Sequence, residues 1–358
     1  MTTDPQDTPK PHKRRVRYSG THPRRFEEKY KELNPEKFAA DVEHIISKGR
    51  TPAGMHLPIC VEEILTVLAP KPGDICLDAT LGFGGHAQRI LPLIKPGGRL
   101  FALDVDPLEL PRAEARLRAL GFKEKAFIVR KMNFAGVMSL LPEAGGGFDC
   151  MLADLGVSSM QLDDPKRGFT YKADGPLDLR LNPQRGVPAS ALLKSLSHES
   201  LKKLLIDNSD EPHAEEIARA VKRSLSPITT TTQLASVVRE ALEKMTVKES
   251  EGGIKKSLAR TFMALRIEVN GEFSALDRFL EALPWCLKPG GRAAILTFHS
   301  GEDRRVKKAF RKGEDSGIYS SVAPTPIRPS QDEQRDNPRS SCAKLRWAVR
   351  SKAPVTYE

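Results

Sequence analysis

The 358-residue chain contains no apolar run of about 18 residues or more, so nothing in it predicts a membrane span. The opening segment, residues 1–20, lacks an apolar stretch and carries Asp4 and Asp7, which fits neither a secretory signal nor a typical transit peptide. Cys60, Cys76, Cys150, Cys286 and Cys342 are scattered without a CxxC pair. Free, mostly buried thiols in a reducing cytoplasm are therefore expected, rather than a disulfide framework. No metal-ligand spacing is visible, so no metal is expected in the chemistry, and no internal repeat organises the chain.

What is present is positive charge, with Lys and Arg together numbering 57 against 46 Asp and Glu, a net charge of +11 and a pI near 9.4. Such an excess points to a polyanionic partner. It concentrates in Lys13-Arg14-Arg15 with Arg17, Arg24 and Arg25, and in Arg304-Arg305, Lys307-Lys308 and Arg311-Lys312. Either run alone could be a solvated face; the two together favour nucleic acid. The 39% hydrophobic content supports a sizeable core, and the length allows about two domains.

The organising stretch is Ile75 to Ile94. A short apolar run reaches Asp78, breaks into Gly82-Phe83-Gly84-Gly85, and continues with Ile90, Leu91 and Ile94 at helical spacing. This predicts a buried parallel strand, a glycine turn and a helix whose free N–H groups face an anionic ligand, the opening unit of a doubly wound α/β sheet. Gly82-x-Gly84-x-x-Ala87 also fits a dinucleotide fingerprint. Arg99 to Asp106 reads as a second strand ending in Asp104, placed to take a ribose diol. Asp78 would repel a pyrophosphate but suits a ligand ammonium, and Leu287-Lys288-Pro289-Gly290-Gly291 reads as a turn before a late strand ending at Phe298. Both features favour an S-adenosylmethionine (SAM) methyltransferase over a dehydrogenase.

Along the rest of the chain, residues 1–52 read as a basic flexible arm with a short helix near Pro35 to Ser47. Helices are expected over Val61 to Leu68, Pro107 to Leu120 and Ala135 to Leu141, and strands over Ala126 to Val129 and Phe148 to Asp154. Asp154 then lies at a strand's carboxyl end, where open α/β sheets bind ligands. From Gln161 to Ala259 no strand is evident, but helices are expected over His198 to Ile206, Ala214 to Leu225 and Thr232 to Met245. The apolar stripe Leu234, Val237, Val238, Ala241, Leu242 and Met245 reads as core packing. A long helix from Arg260 to Leu283, a basic helix from Glu302 to Arg311, a loop over 313–338 and a closing antiparallel strand from Lys344 to Val349 complete the expectation. The fold class is α/β, a mostly parallel doubly wound sheet of the class I SAM-methyltransferase type, formed by residues 53–160 and 260–352. Residues 161–259 form a helical insert for substrate recognition.

The run from Asp154-Leu155-Gly156-Val157-Ser158-Ser159 through Gln161-Leu162-Asp163-Asp164 and Arg167-Gly168-Phe169 to Asp174-Gly175-Pro176-Leu177-Asp178-Leu179-Arg180 is too dense in Asp, Gly, Ser and Arg for a merely structural loop. It closely resembles the bacterial 16S ribosomal RNA (cytosine-N4) methyltransferase family, as do Gly82 to His86, Arg260-Thr261-Phe262, Leu265-Arg266-Ile267 with Asn270, Phe298-His299-Ser300 and Asn337 to Ser341. The resemblance covers about His56 to Arg350. It implies SAM contacts at Gly84, Gly85, His86, Asp104, Phe134, Asp154 and Gln161, and as substrate a cytosine of the decoding region in 16S rRNA within the small ribosomal subunit. His86 could instead cap its helix, and Phe134 could belong to the core. Gly301 stands where the family usually has leucine, which should loosen the turn there; Ser209 to His213 replaces a Gly-Glu-Glu run; the N-terminal arm is longer than typical.

For the chemistry, Asp154 with a neighbouring carbonyl is the candidate acceptor for the amino hydrogens, or else only a holder of SAM. Ser158 and Ser159 would shape the loop, and His299 is a second catalytic candidate or a structural strand-end histidine. An NAD-dependent oxidoreductase, a non-catalytic assembly factor and a DNA or protein methyltransferase are the competing readings. A cytoplasmic protein without a membrane partner is expected, with a homodimer as one option for its assembly.

Overall fold

The computed structural model describes residues 58–245 and 249–352. The basic arm, with its expected helix and arginine-rich run, lies outside the described residues. Helix α1 (Val61–Leu68) precedes β1 (Ile75–Asp78), α2 (Gly85–Leu93), β2 (Arg99–Asp104), α3 (Glu109–Ala119) and β3 (Phe127–Lys131). A 3-10 turn over Phe134–Leu140 then leads to β4 (Phe148–Asp154). From Glu251 onward come α9 (Glu251–Asn270), α10 (Glu272–Cys286), β5 (Leu287–Thr297), α11 (Ser300–Asp315), β6 (Tyr319–Val322), α12 (Gln331–Asp336) and β7 (Lys344–Arg350). The sheet order is β3-β2-β1-β4-β5-β7-β6. β1 to β5 run parallel, and β7 lies antiparallel between β5 and β6. The order reverses between β1 and β4, so their carboxyl ends open a crevice there.

Each sheet face buries one apolar layer. Leu77, Phe101, Phe148 and Met151 pack with Phe279 and Leu283 of α10 on one side. Cys76, Leu100 and Leu152 pack with Ile64 of α1, Ile90 of α2 and Leu117 of α3 on the other. A third core belongs to the insert, where α5 (Ala189–Ser195), α6 (His198–Ser209), α7 (Ala214–Arg223) and α8 (Thr231–Glu243) pack around α9 after the short α4 (Ser159–Asp163). Leu234, Val238 and Leu242 are fully buried in it, so the stripe on α8 is packing. Among the described residues no helix is long and apolar enough to cross a membrane.

Three expectations change. The single helix from Arg260 to Leu283 is two, because Gly271 takes φ 59° and serves as the C-cap of α9 and the N-cap of α10. The Lys-Pro-Gly-Gly segment is no turn ahead of β5 but an irregularity within it, where the register passes from Phe148 opposite Leu287 to Cys150 opposite Arg292. The supposed loop of 313–338 holds β6 and α12, whose short polar sequences carry almost no hydrophobic period.

The departures from the family pattern also acquire physical reasons. Asp210 ends α6 in the left-handed region at φ 51°, where glycine is the easier residue. Its carboxylate accepts hydrogen bonds from Arg304 (2.9 Å) and Ser300 (3.2 Å), which ties the insert to α11. Gly301 does not loosen its turn: α11 begins at Ser300 and the Phe273 ring fills the space a side chain would take. A Cβ at Gly301 would lie 2.5 Å from Phe273 Cζ, and the Arg305 guanidinium lies over that ring, 3.6 Å from its centroid. Gly301→Leu is expected to cost about 1–3 kcal/mol in urea unfolding. The double variant with Phe273→Ala should lose less than the sum of the single changes, because the clash is removed.

Candidate active site

The turn after β1 is knitted to both neighbouring strands by Ala79 N–H to Leu152 O (2.8 Å) and Leu81 N–H to Leu103 O (2.7 Å). Gly84 takes φ 77°, and a Cβ there would meet Leu117 Cδ1 at 2.9 Å; at Gly85 it would meet Pro58 Cγ at 2.7 Å. These glycines therefore admit α3 and the Pro58 segment close to the turn, and the backbone they shape lines a cavity of about 880 Å³. Gly84, Gly85, His86, Asp104, Phe134, Asp154, Ser158 and Gln161 all line it; His299 does not.

Asp104 accepts the Gly82 N–H (2.8 Å) on one oxygen and the Asp106 N–H (2.9 Å) on the other. Burial raises its carboxyl above the ordinary value, and those N–H bonds oppose the rise. A carboxylate has about four acceptor positions, so both oxygens keep capacity for a diol. Phe134 meets Phe279 edge-on at 5.3 Å and presents its ring at the cavity wall. Asp154 closes the floor: its N–H donates to Thr80 Oγ1 (2.7 Å), and its Oδ2 lies 3.5 Å from His86 Nε2. Asp154 Oδ1 and His86 Nε2 are both buried without a hydrogen-bond partner. Asp78 is 1% exposed and absent from the lining, so it is not placed to meet a ligand ammonium. Burial pushes its carboxyl up to about 7, against the opposing charge of His86 and the Thr80 N–H.

The loop after β4 is held by a polar network the sequence did not reveal. Ser158 and Gln161 form a capping box on α4, so the Ser158 hydroxyl accepts the Gln161 N–H and shapes the loop. The Gln161 side-chain amide is engaged at both ends, by Ser158 N–H (2.8 Å) and by Asp106 Oδ2 (2.7 Å). Asp106, fully buried, also accepts Arg167 (2.9 Å), whose guanidinium reaches Leu181 O (2.8 Å) in the insert. Asn270 clamps the same segment, accepting Leu181 N–H and donating to Leu179 O. Asp-x-Asp at Asp104 and Asp106, with a lone arginine in the loop, was the available sequence signal.

On the far wall, Arg266 pairs bidentately with Glu272 (2.8 and 2.7 Å). Glu302 accepts the Phe298 N–H (2.8 Å) and lies 3.2 Å from His299 Nε2. Burial works to raise the Glu302 carboxyl, but the His299 bond and the Arg266 charge hold it below the ordinary value. His299 thus stands behind Glu302 rather than in the cavity. Asn182, Gln184 and Arg185 of the insert and Asn337, Arg339 and Ser341 of the C-terminal segment complete the lining.

A strand-end carboxylate with spare acceptor positions, an aromatic wall, a glycine turn and a second carboxylate at the floor suit a nucleoside cofactor beside a second reactant, on a sheet of the class I methyltransferase type. The chain belongs to the MraW methylase family, which it matches over residues 53–351. It is 50% identical to ribosomal RNA small subunit methyltransferase H 1 of Lachnoclostridium phytofermentans, over 98% of this chain and 97% of that protein. It is 52% identical to the protein of the same name from Agathobacter rectalis, over 96% and 99%. Ribosomal RNA small subunit methyltransferase H of Acidobacterium capsulatum is 38% identical, over 82% and 97%. The cofactor is S-adenosylmethionine.

Arg167→Ala would leave Asp106 buried and uncompensated, an expected loss of about 3–5 kcal/mol in urea unfolding. Asp78 gives a pH signature: its folded carboxyl lies near 7, above the unfolded value, so its contribution is fully present below about pH 4 and lost as pH rises through 7. Asp78→Asn should therefore be more stable than the parent at about pH 8, with the gain shrinking towards about pH 4 in urea titrations.

Proposed function

We propose that the chain transfers a methyl group from S-adenosylmethionine to the exocyclic N4 of a cytosine in the decoding region of 16S rRNA, within the small ribosomal subunit. The names of its half-identical relatives support the substrate class. The observation that carries the chemistry is the Asp154 carboxylate at the cavity floor, which accepts no hydrogen bond among the described residues and has His86 Nε2 at 3.5 Å as its polar neighbour.

Bound S-adenosylmethionine supplies an electrophilic methyl: its S–CH3 bond breaks with the electron pair staying on sulfur, an N–CH3 bond forms, and one N–H proton leaves. The cytosine amino group is a weak nucleophile because its lone pair is delocalised into the ring. An acceptor on an amino hydrogen lets the nitrogen pyramidalise and aims the lone pair, so positioning and a fixed charge supply the rate. The Asp154 carboxylate is that acceptor, held by Thr80 through the backbone. The Ser158 cap keeps the loop in the shape that presents it. Asp104 and Phe134 take the cofactor's ribose and adenine at the ends of β2 and β3.

A base in structured RNA reaches such a cavity only after unstacking. The insert and the exposed Lys307, Lys308, Arg311 and Lys312 of α11 hold the surrounding phosphates, which positions without specifying sequence. A ribosomal substrate places the enzyme in the cytoplasm.

The test is methyl transfer from labelled cofactor to assembled small subunits, naked 16S rRNA and bulk tRNA, followed by nucleoside identification. N4-methylcytidine from assembled subunits is expected, and Asp154→Asn should lower its formation by roughly 10²-fold or more at saturating cofactor. Label in another nucleoside, or an Asp154→Asn enzyme of normal turnover, would overturn the reading.

A further inference from the structure

The insert reaches the cavity through the turn from Asn182 to Gly186, which places Asn182, Gln184 and Arg185 in the cavity wall. That turn is fixed from three directions. Within it, Asn182 Oδ1 accepts the Gln184 N–H (3.0 Å) and Asn182 O accepts the Arg185 N–H (3.1 Å). Before it, the Leu181 N–H donates to Asn270 Oδ1 (2.7 Å) and Leu181 O accepts Arg167 (2.8 Å). After it, Gly186 O accepts Arg180 Nη1 (3.2 Å), and Arg180 is itself gripped bidentately by Asp178 (2.8 and 2.7 Å). Gly186 sits at φ 70°, a left-handed conformation that glycine takes without strain. The side chains at the tip are a contrast to this backbone. Gln184 and Arg185 are exposed, and neither side chain has a hydrogen-bond or acid partner among the described residues. We propose that Arg185 holds a phosphate of the target RNA strand, the one flanking the nucleotide that enters the cavity. The inference rests on the reading of this cavity as a cytosine-N4 methylation site in RNA.

The other cations of the lining are placed differently. Arg266 is paired with Glu272, and Arg339 with Asp163 at 2.6 Å. Lys131 has no acid partner among the described residues, but it ends β3 three residues before Phe134, at the adenine end of the cavity. Arg185 is therefore the unengaged cation on the insert's side. A guanidinium meets two phosphate oxygens with parallel N–H bonds, and a turn braced on both flanks offers that fork from a fixed base. Charge keeps the phosphate at the mouth. Asp104, Asp154, Glu272 and Glu302 all line the cavity, so a phosphate drawn inside would meet carboxylates, whereas a neutral base is not repelled by them. An unstacked nucleotide satisfies both demands, with its base inside and its phosphate against the exposed arginine. Because Leu181 is tied through Arg167 to Asp106, the strand held there is referenced to β2 and to Asp104. The contact positions the strand and reads no base.

The experiment follows binding and methylation of assembled small subunits by the parent, Arg185→Ala and Arg185→Lys between about 50 and 200 mM salt. Affinity for S-adenosylmethionine is measured in parallel by calorimetry. Arg185→Ala is expected to raise KM for the subunits roughly tenfold, as for the loss of a charged hydrogen-bonding group. It should also reduce the slope of log affinity against log salt by about one, while binding S-adenosylmethionine within about twofold of the parent. Arg185→Lys, which keeps the charge without the fork, should restore the slope and only part of the affinity. Parent-like KM and salt slope in Arg185→Ala would overturn the inference. So would weaker subunit binding with an unchanged slope, which marks a distorted turn rather than a lost phosphate contact. Parallel losses of cofactor and subunit affinity would assign the guanidinium to the cofactor's carboxylate instead. A parent that forms no N4-methylcytidine would sink the reading of the site and this inference with it, whereas an active parent beside an unaffected Arg185→Ala sinks only the phosphate contact.

Discussion

The Asp106–Arg167 ion pair holds together what the sheet and the insert build separately. Asp106 lies two residues beyond the strand-end carboxylate Asp104, and Arg167 lies in the loop after β4. Neither has solvent to fall back on, so each charge depends on the other and on its remaining hydrogen bonds. Those bonds lead outward. Asp106 takes the Gln161 amide that completes the α4 cap, and Arg167 takes the Leu181 carbonyl next to the insert's contribution to the cavity wall. The loop carrying Ser158 is therefore referenced to β2, the strand that presents Asp104. A shift of the insert would be felt at the β2 end of the cavity through buried, hydrogen-bonded groups rather than through a flexible tether.

The cavity is rich in acids, and the way each is answered distinguishes its role. Glu272 is matched by Arg266, Glu302 by His299 and a backbone N–H, and Asp106 by Arg167. Asp104 has backbone donors on both oxygens and faces the cavity with its remaining acceptor positions. Asp154 alone among these carboxylates keeps a buried oxygen without any partner. A carboxylate closed by protein donors has little left for a ligand, whereas one without a protein donor keeps its acceptor capacity; the distinction is one of hydrogen-bond accounting.

The strand–turn–helix unit, the strand ends and the helices of the insert were legible because each is written locally, as an apolar run, a glycine pair or an apolar stripe such as that of α8. Seven cofactor candidates and Ser158 all reach one cavity because topology alone brings the ends of β1, β2 and β4 together. What was not legible depends on contacts distant in sequence. Nothing near His299 announces that Glu302, one helical turn on, would take its place at the wall. Nothing near Gln161 announces Asp106, and a glycine fingerprint cannot say that its glycines admit Leu117 and Pro58 rather than the ligand. The split at Gly271 was visible as a glycine in a helical run, but a glycine is tolerated in helices often enough that the apolar period carried the reading past it.

Charge shows the same separation between sequence and structure. The run Arg304-Arg305 with Lys307-Lys308 reads as one basic patch, yet its members do different work. Arg304 is committed to Asp210 and so fastens the insert to α11, while Arg305 pairs with Asp277 and lies over Phe273. Lys307, Lys308, Arg311 and Lys312 remain exposed along the helix. Since the salt dependence of nucleic-acid binding counts phosphates neutralised rather than basic residues present, the formal charge of this helix overstates what it can offer RNA. The arginines already engaged fix where the insert and α11 sit, and only the exposed residues beyond them are free of such protein partners to meet a phosphate backbone.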